Sequence, residues 1–144
     1  MPTVCLKFRF HPRAETTGIL EKVRYMERKA VNWLIGNNKT SLSAVHNALY
    51  HQFRQQFSEL HSHWVKSALK TATGIVHQFN KRRRKGKAKR PNLKKPFVSL
   101  SPELFKVTWN GTWLRVTIVK SAHDLEPIVF EFRPHHKYRV MLDR

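Results

Sequence analysis

The sequence predicts an α+β protein. The expected fold is a small antiparallel β-barrel, built from one N-terminal strand and several C-terminal strands, with an inserted three-helix bundle. Three observations predict it. Residues 4–10 alternate apolar and polar, the period of a half-buried strand. Residues 13–82 place apolar side chains at three- and four-residue steps, the period of amphipathic helices. From residue 96 onward the period returns to two. A lone N-terminal strand leaves unpaired backbone, which pairing with the C-terminal strands satisfies most economically. The expected division is therefore a barrel domain (1–11 and 96–144), a helical insert (12–82) and a basic linker (83–95).

The elements follow in order. Val4-Cys5-Leu6-Lys7-Phe8-Arg9-Phe10 is the first strand, and Pro12 ends it. Ile19, Leu20, Val23, Met26, Ala30, Val31 and Leu34 share one face of a first helix, which Gly36-Asn37-Asn38 stops. Leu42, Val45, Leu49, Phe53 and Phe57 mark a second, with Thr40 or Ser41 as its cap. Trp64, Val65, Ala68, Leu69, Ala72, Ile75, Val76 and Phe79 mark a third, with Ser62 placed to cap it and Gly74 as a weak point. Lys81 to Lys85 extend this helix until Gly86 breaks it, and Pro91 fixes an extended path. Short loops between three amphipathic helices predict a bundle. Phe97-Val98-Ser99-Leu100 is a short strand. Leu104–Trp109 and Thr112–Val119 flank Asn110-Gly111, the strongest short-range hairpin signal. Ile128–Phe132 and Tyr138–Leu142 form another expected strand pair across Pro134-His135-His136.

Charge is the compositional outlier. The 144 residues hold 28 Lys and Arg against 9 Asp and Glu, a formal net charge of +19. Such an excess calls for a polyanion, either nucleic acid or an anionic membrane. No apolar run approaches the eighteen residues of a spanning helix, and MPTVCLKFRFHPR lacks the apolar stretch of a secretion signal. The expectation is a cytoplasmic, intracellular protein, suited to the nucleoid, with no membrane partner. Cys5 is the only cysteine, which excludes an internal disulfide and a cysteine-cluster zinc site.

Ten of the fifteen residues in KRRRKGKAKRPNLKK (81–95) are basic and none is acidic. One reading is a solvated linker that keeps the protein soluble. The other is phosphate contact with release of counterions. The run holds 10 of the 28 basic residues and joins two folded parts, which favours nucleic acid. The expected phosphate contacts are Lys81, Arg82, Arg83, Arg84, Lys85, Lys87, Lys89, Arg90, Lys94 and Lys95, followed by Lys7 and Arg9 on the first strand. Trp109 and Trp113 flank the Asn-Gly turn, and Phe8 and Phe10 share a strand face. These aromatics are either core residues or platforms for unpaired bases.

Catalysis is not expected. The nine acids are scattered, and only Asp124 and Glu126 lie close together, whereas a two-metal centre needs several converging carboxylates. His61-x-His63 and His135-His136 have no completing ligands nearby and read as surface or satisfied histidines. Cys5 reads as a small core residue. No metal or other cofactor is implied, and the chain is not read as an enzyme.

Four segments, in order, resemble the N-terminal part of the TnpB (OrfB) family of transposon-encoded RNA-guided nucleases, relatives of type V CRISPR effectors. Lys7-Phe8-Arg9-Phe10-His11-Pro12 is similar to the family's opening strand, K-F/Y-R-L/I-Y-P. Arg28-Lys29-Ala30-Val31-Asn32-Trp33 is similar to R-x-x-Y-N-W, with Val31 at the usual Tyr. Trp64–Phe79 with Lys81–Lys87 resembles the segment ending in (K/R)-K-G. Arg90-Pro91-Asn92-Leu93-Lys94-Lys95-Pro96 resembles (Y/F)-P-R-F-K-K-P, with Asn92 and Leu93 at the Arg and Phe. The resemblance runs over residues 6–119.

The resemblance implies a wedge β-barrel that holds structured guide RNA and a helical recognition insert that touches the guide–target heteroduplex. It also implies that the start of the third helix meets target-adjacent DNA, which adds Ser62, Lys66 and Lys70 as candidates. The family's nuclease domain, with its three acids and zinc ribbon, normally follows this region, so these residues are expected to bind without cleaving. The alternative is a stand-alone regulator of double-stranded DNA, with a helix–turn–helix unit and the second helix (Asn47, Gln52, Gln55, Gln56) reading bases. A scaffold for other folded RNA is a third possibility.

Overall fold

A computed structural model describes residues 14–86, 89–93, 103–120 and 127–143. In chain order the elements are α1 (Ala14–Gly36), α2 (Leu42–Gln56), α3 (Ser62–Arg84), β1 (Phe105–Trp109), β2 (Leu114–Ile118), β3 (Ile128–Phe132) and α4 (His136–Leu142). The class is α+β, as expected.

The helices form where the apolar period places them. Ile19, Val23, Met26, Ala30, Val31 and Leu34 of α1 are all buried, as are Val45 and Phe53 of α2. Asn37 and Asn38 stop α1. The Asn37 side chain donates to the Trp33 carbonyl at 2.8 Å. Asn38 takes the left-handed conformation (φ 52°), and the Lys39 N–H closes back on the Leu34 carbonyl at 2.9 Å. Of the two expected caps for α2, Ser41 is the one used: its Oγ accepts from the Ala44 N–H at 3.1 Å. The cap of α3 differs from expectation. His61, not Ser62, precedes the first turn with extended backbone, and its Nδ1 accepts from the His63 N–H at 3.1 Å. Ser62 is already the first helical residue.

α3 is the centre of the bundle and packs against both α1 and α2. Trp64, Val65, Ala68, Leu69, Ala72 and Val76 form its buried face. Gly74 lies on the exposed side, so its cost is helix propensity alone, roughly 1 kcal/mol.

The three strands form an antiparallel sheet in the order β1-β2-β3. Trp109 pairs with Leu114, and Leu114 with Phe132; Val107 pairs with Val116, and Val116 with Phe130. These residues share one face of the sheet, buried at Leu114 and Phe130 and open on β1, where Val107 is exposed. Leu104, Ile128 and Phe130 join the helical residues in one buried cluster. Two bonds fix the sheet to α3: the His61 N–H donates to the Lys120 carbonyl and Trp64 Nε1 to the Val119 carbonyl, each at 2.8 Å.

The Asn110-Gly111 turn forms, with a longer loop than a two-residue hairpin. Asn110 Oδ1 accepts from the Thr112 and Trp113 N–H groups at 2.9 and 2.7 Å, and Gly111 supplies φ +92°. The second strand therefore starts at Leu114 rather than Thr112.

Two expectations change. The described sheet is open and does not close into a barrel; the strands expected at 4–10 and 97–100 lie outside the described residues. Tyr138–Leu142, expected as a strand, belongs to helix α4. Tyr138 and Val140 have strand propensity, but a run this short carries no decisive period. The helical geometry is closed by the Arg139 N–H on the His135 carbonyl and the Asp143 N–H on the Arg139 carbonyl. It brings Asp143 Oδ1 to Trp109 Nε1 at 2.7 Å, which ties α4 to β1.

Candidate nucleic-acid interface

The exposed side of α3 carries the candidate surface. Lys66, Lys70, Gly74, His77, Lys81 and Arg84 are all exposed. At 100° per residue they fall within an arc of about 80° and extend ~27 Å along the axis. The apolar residues of α3 are buried on the opposite side, so core packing aims the cations outward.

Lys81, Arg82, Arg83 and Arg84 occupy the last turn of α3, where the negative pole of the helix dipole offsets part of their mutual repulsion. The Lys85 N–H closes that turn on the Arg82 carbonyl at 3.0 Å, and Gly86 reverses the chain with φ +74°. After the reversal the chain is anchored to α1. Arg90 Nη2 donates to Asn32 Oδ1 and Arg28 Nε to the Leu93 carbonyl, each at 3.1 Å. Leu93 packs on the core, so this part of the basic run is a fixed part of the surface.

Between Glu59 and Glu103 the sequence holds Lys66, Lys70 and the ten cations of residues 81–95, and no acid. Most acids whose side chains are described have partners of their own. Glu59 pairs with Lys22 at 2.7 Å and Glu21 with Arg24 at 3.4 Å. Glu131 pairs with Arg115, and Asp143 accepts from Trp109. Glu103 lies 3.9 Å from His63. Glu27 is buried with Oε1 unpartnered, and burial pushes its carboxyl up to about 7.

The candidates divide by location. Lys81, Arg82, Arg83, Arg84 and Lys85 cluster at the end of α3, with Lys89 and Arg90 exposed on the returning segment. Lys66 and Lys70 are exposed one and two turns into α3, and Ser62 is half-buried at its start. Lys66 and Lys70 also border a hollow of about 210 Å³ with His46 and His63. Desolvation first, then the charges of His63, Arg54 and Lys66, hold His61 below the usual histidine range, which keeps its Nδ1 free to accept. Lys7, Arg9, Lys87, Lys94 and Lys95 lie outside the described residues.

Sequence reading assigned no site role to Arg28, which entered only through the R-x-x-Y-N-W resemblance, or to His77 and Gln78. The signal for His77 is its spacing from Lys66 and Lys70 on a helix whose opposite face is apolar; Gln78 lies on the flank of that face. Trp109 is half-buried, whereas Trp113 is 47% exposed at the hairpin tip. Among the described residues no group of three or more histidine, cysteine or acidic side chains is placed to hold a metal ion. No described helix is long and apolar enough to cross a membrane.

Residues 19–117 match the uncharacterized protein MJ0013 family. The chain belongs to this family. The matched stretch of this MJ0013 family member takes in nearly all of α1, the whole of α2 and α3, the basic run and β1. It therefore includes the cationic surface. No curated protein matches the chain.

Proposed function

We propose that the chain is a nucleic-acid-binding module that carries out no chemistry itself. Its role is to hold structured guide RNA and DNA in a TnpB-like, RNA-guided system in the cytoplasm. The observation that carries the reading is the one-sign surface along α3. Exposed Lys66, Lys70, Lys81 and Arg84 lie in line, Arg82, Arg83 and Lys85 surround the helix end, and on the returning segment Lys89 is exposed while Arg90 is held by Asn32. A solvated linker needs no such anchoring. A row of ~27 Å runs along most of one turn of a nucleic-acid duplex. The resemblance to the TnpB family supplies the guide-RNA part of the proposal.

A second reading, a regulator of double-stranded DNA, draws on α2, where Asn47, Gln52, Gln55 and Gln56 are all exposed. One titration separates the two. Affinity is measured at several salt concentrations for a structured RNA from the gene's own downstream flank, a DNA duplex and an unrelated hairpin RNA. Preference for the flanking RNA supports the guide-RNA platform. Preference for the duplex overturns it in favour of the regulator. Equal, steeply salt-dependent binding to all three leaves a basic surface without the guide-RNA role.

A further inference from the structure

We propose that the groove between α3 and the returning segment 89–91 is a pocket for one unstacked nucleobase of a single strand. The inference rests on the nucleic-acid reading and deepens it, from phosphate contact to a base-binding subsite.

The groove measures about 590 Å³. Small-ligand sites commonly span roughly 300–1,000 Å³. Its composition is mixed in a specific way. Ile75, Phe79 and Pro91 give it apolar walls. Gly74 leaves the helix backbone bare between them, and a Cβ added there would meet no atom within 4 Å. Lys70, Arg82 and Lys89 also line the groove, together with Gln78, and among the described residues no acid does.

Each half of this composition excludes a simpler occupant. A bare phosphate gains nothing from Ile75, Phe79 and Pro91. An apolar peptide or acyl chain gains nothing from three cations. A nucleotide has both a flat heterocycle for the apolar walls and phosphates for the cations. Gln78 has a donor and an acceptor on one amide, which matches the edge of a base. Arg83 already lies over the Phe79 ring at 5.4 Å, so a guanidinium is in place beside the ring. A base stacked and paired within a duplex cannot enter, so the ligand is a single-stranded, bulged or extruded nucleotide.

The test uses the full chain and Gly74→Leu. Leucine projects into the groove and narrows it, changes no charge, meets open space at its Cβ and favours the helix. Binding is measured to a single-stranded RNA, the DNA of the same sequence, an abasic strand of the same length, and a blunt DNA duplex. Thermal melts establish that the variant is folded. The expected result is a loss of roughly tenfold or more for both base-containing strands, from the usual strength of base stacking, and a several-fold smaller loss on the duplex. Wild type should bind the abasic strand as weakly as Gly74→Leu binds the intact one. Loss on RNA alone assigns the pocket to RNA, and loss on both strands to any unstacked base. Equal affinity of wild type and Gly74→Leu for every strand overturns the pocket. Charge reversal of Lys81, Arg82, Arg83 and Arg84 separates that failure from failure of the wider reading. If it abolishes binding while Gly74→Leu does nothing, the phosphate surface stands and the base pocket falls. If wild type binds none of the ligands, both fall.

Discussion

Trp64 Nε1 donates to the Val119 carbonyl at 2.8 Å across 55 residues of sequence, and so fixes the first turn of α3 to the chain just after β2. The indole is buried, and the bond gives its N–H a partner. Trp64→Phe keeps most of the ring and leaves the Val119 carbonyl without its partner. The expected cost is about 1–2 kcal/mol. Trp64→Ala also opens a cavity and should cost about 3–5 kcal/mol. Urea denaturation with an unchanged m-value checks both.

The buried carboxyl of Glu27 makes stability fall as pH rises. Below pH 4.5 it is protonated folded or unfolded, and between 4.5 and about 7 only the folded state keeps the proton. Unfolding then releases a proton, so rising pH favours it, and the loss is complete above about 7. The expected total is on the order of 2 kcal/mol. His61 acts in the opposite direction: its depressed pKa costs stability as pH falls through its usual 6.5. Subtracting the stability profile of Glu27→Gln from that of wild type isolates the Glu27 part. A flat difference between pH 4.5 and 7 would contradict the assignment.

Charge reversal of Lys81, Arg82, Arg83 and Arg84 should flatten the salt dependence of binding. Each phosphate contact contributes roughly 0.9 to the slope of log K against log salt for a duplex, so the slope should fall by about 3–4. All four side chains are exposed, so the melting temperature should change little. A slope equal to that of wild type would remove the α3 terminus from the interface.

Trp113 separates stacking from packing. At 47% exposure it contributes little to the core, and Trp113→Ala should change stability by no more than about 0.5–1 kcal/mol. If it stacks on a base, affinity for single-stranded RNA should drop at least severalfold. Quenching of its fluorescence by RNA, lost in the variant, provides a second readout.

The helices were legible because each has one continuous apolar face, and the α1 stop and the α2 cap were legible because Asn38 and Ser41 do chemistry local to the backbone. The Asn110-Gly111 hairpin was legible for the same reason. α4 was not, because seven residues with mixed propensities carry no readable period, and the contact that ties them to the sheet, Asp143 to Trp109, lies 34 residues away in sequence. The cations at the end of α3 could be read directly from composition. The groove could not. It depends on where Gly86 sends the chain and on Pro91 coming to rest beside Phe79, and from the sequence Gly74 looked only like a weak point in the helix.

From Leu60 to Pro102 the chain holds no acid. Folding gathers like charges that the extended chain holds apart, so the native state resembles half of a neutral pair. A bound polyanion lowers that self-repulsion, and binding to the folded form alone raises its stability in proportion to the logarithm of ligand concentration. The melting temperature of the protein should therefore rank its ligands, and the strand that raises it most would be the one that this surface was shaped to hold.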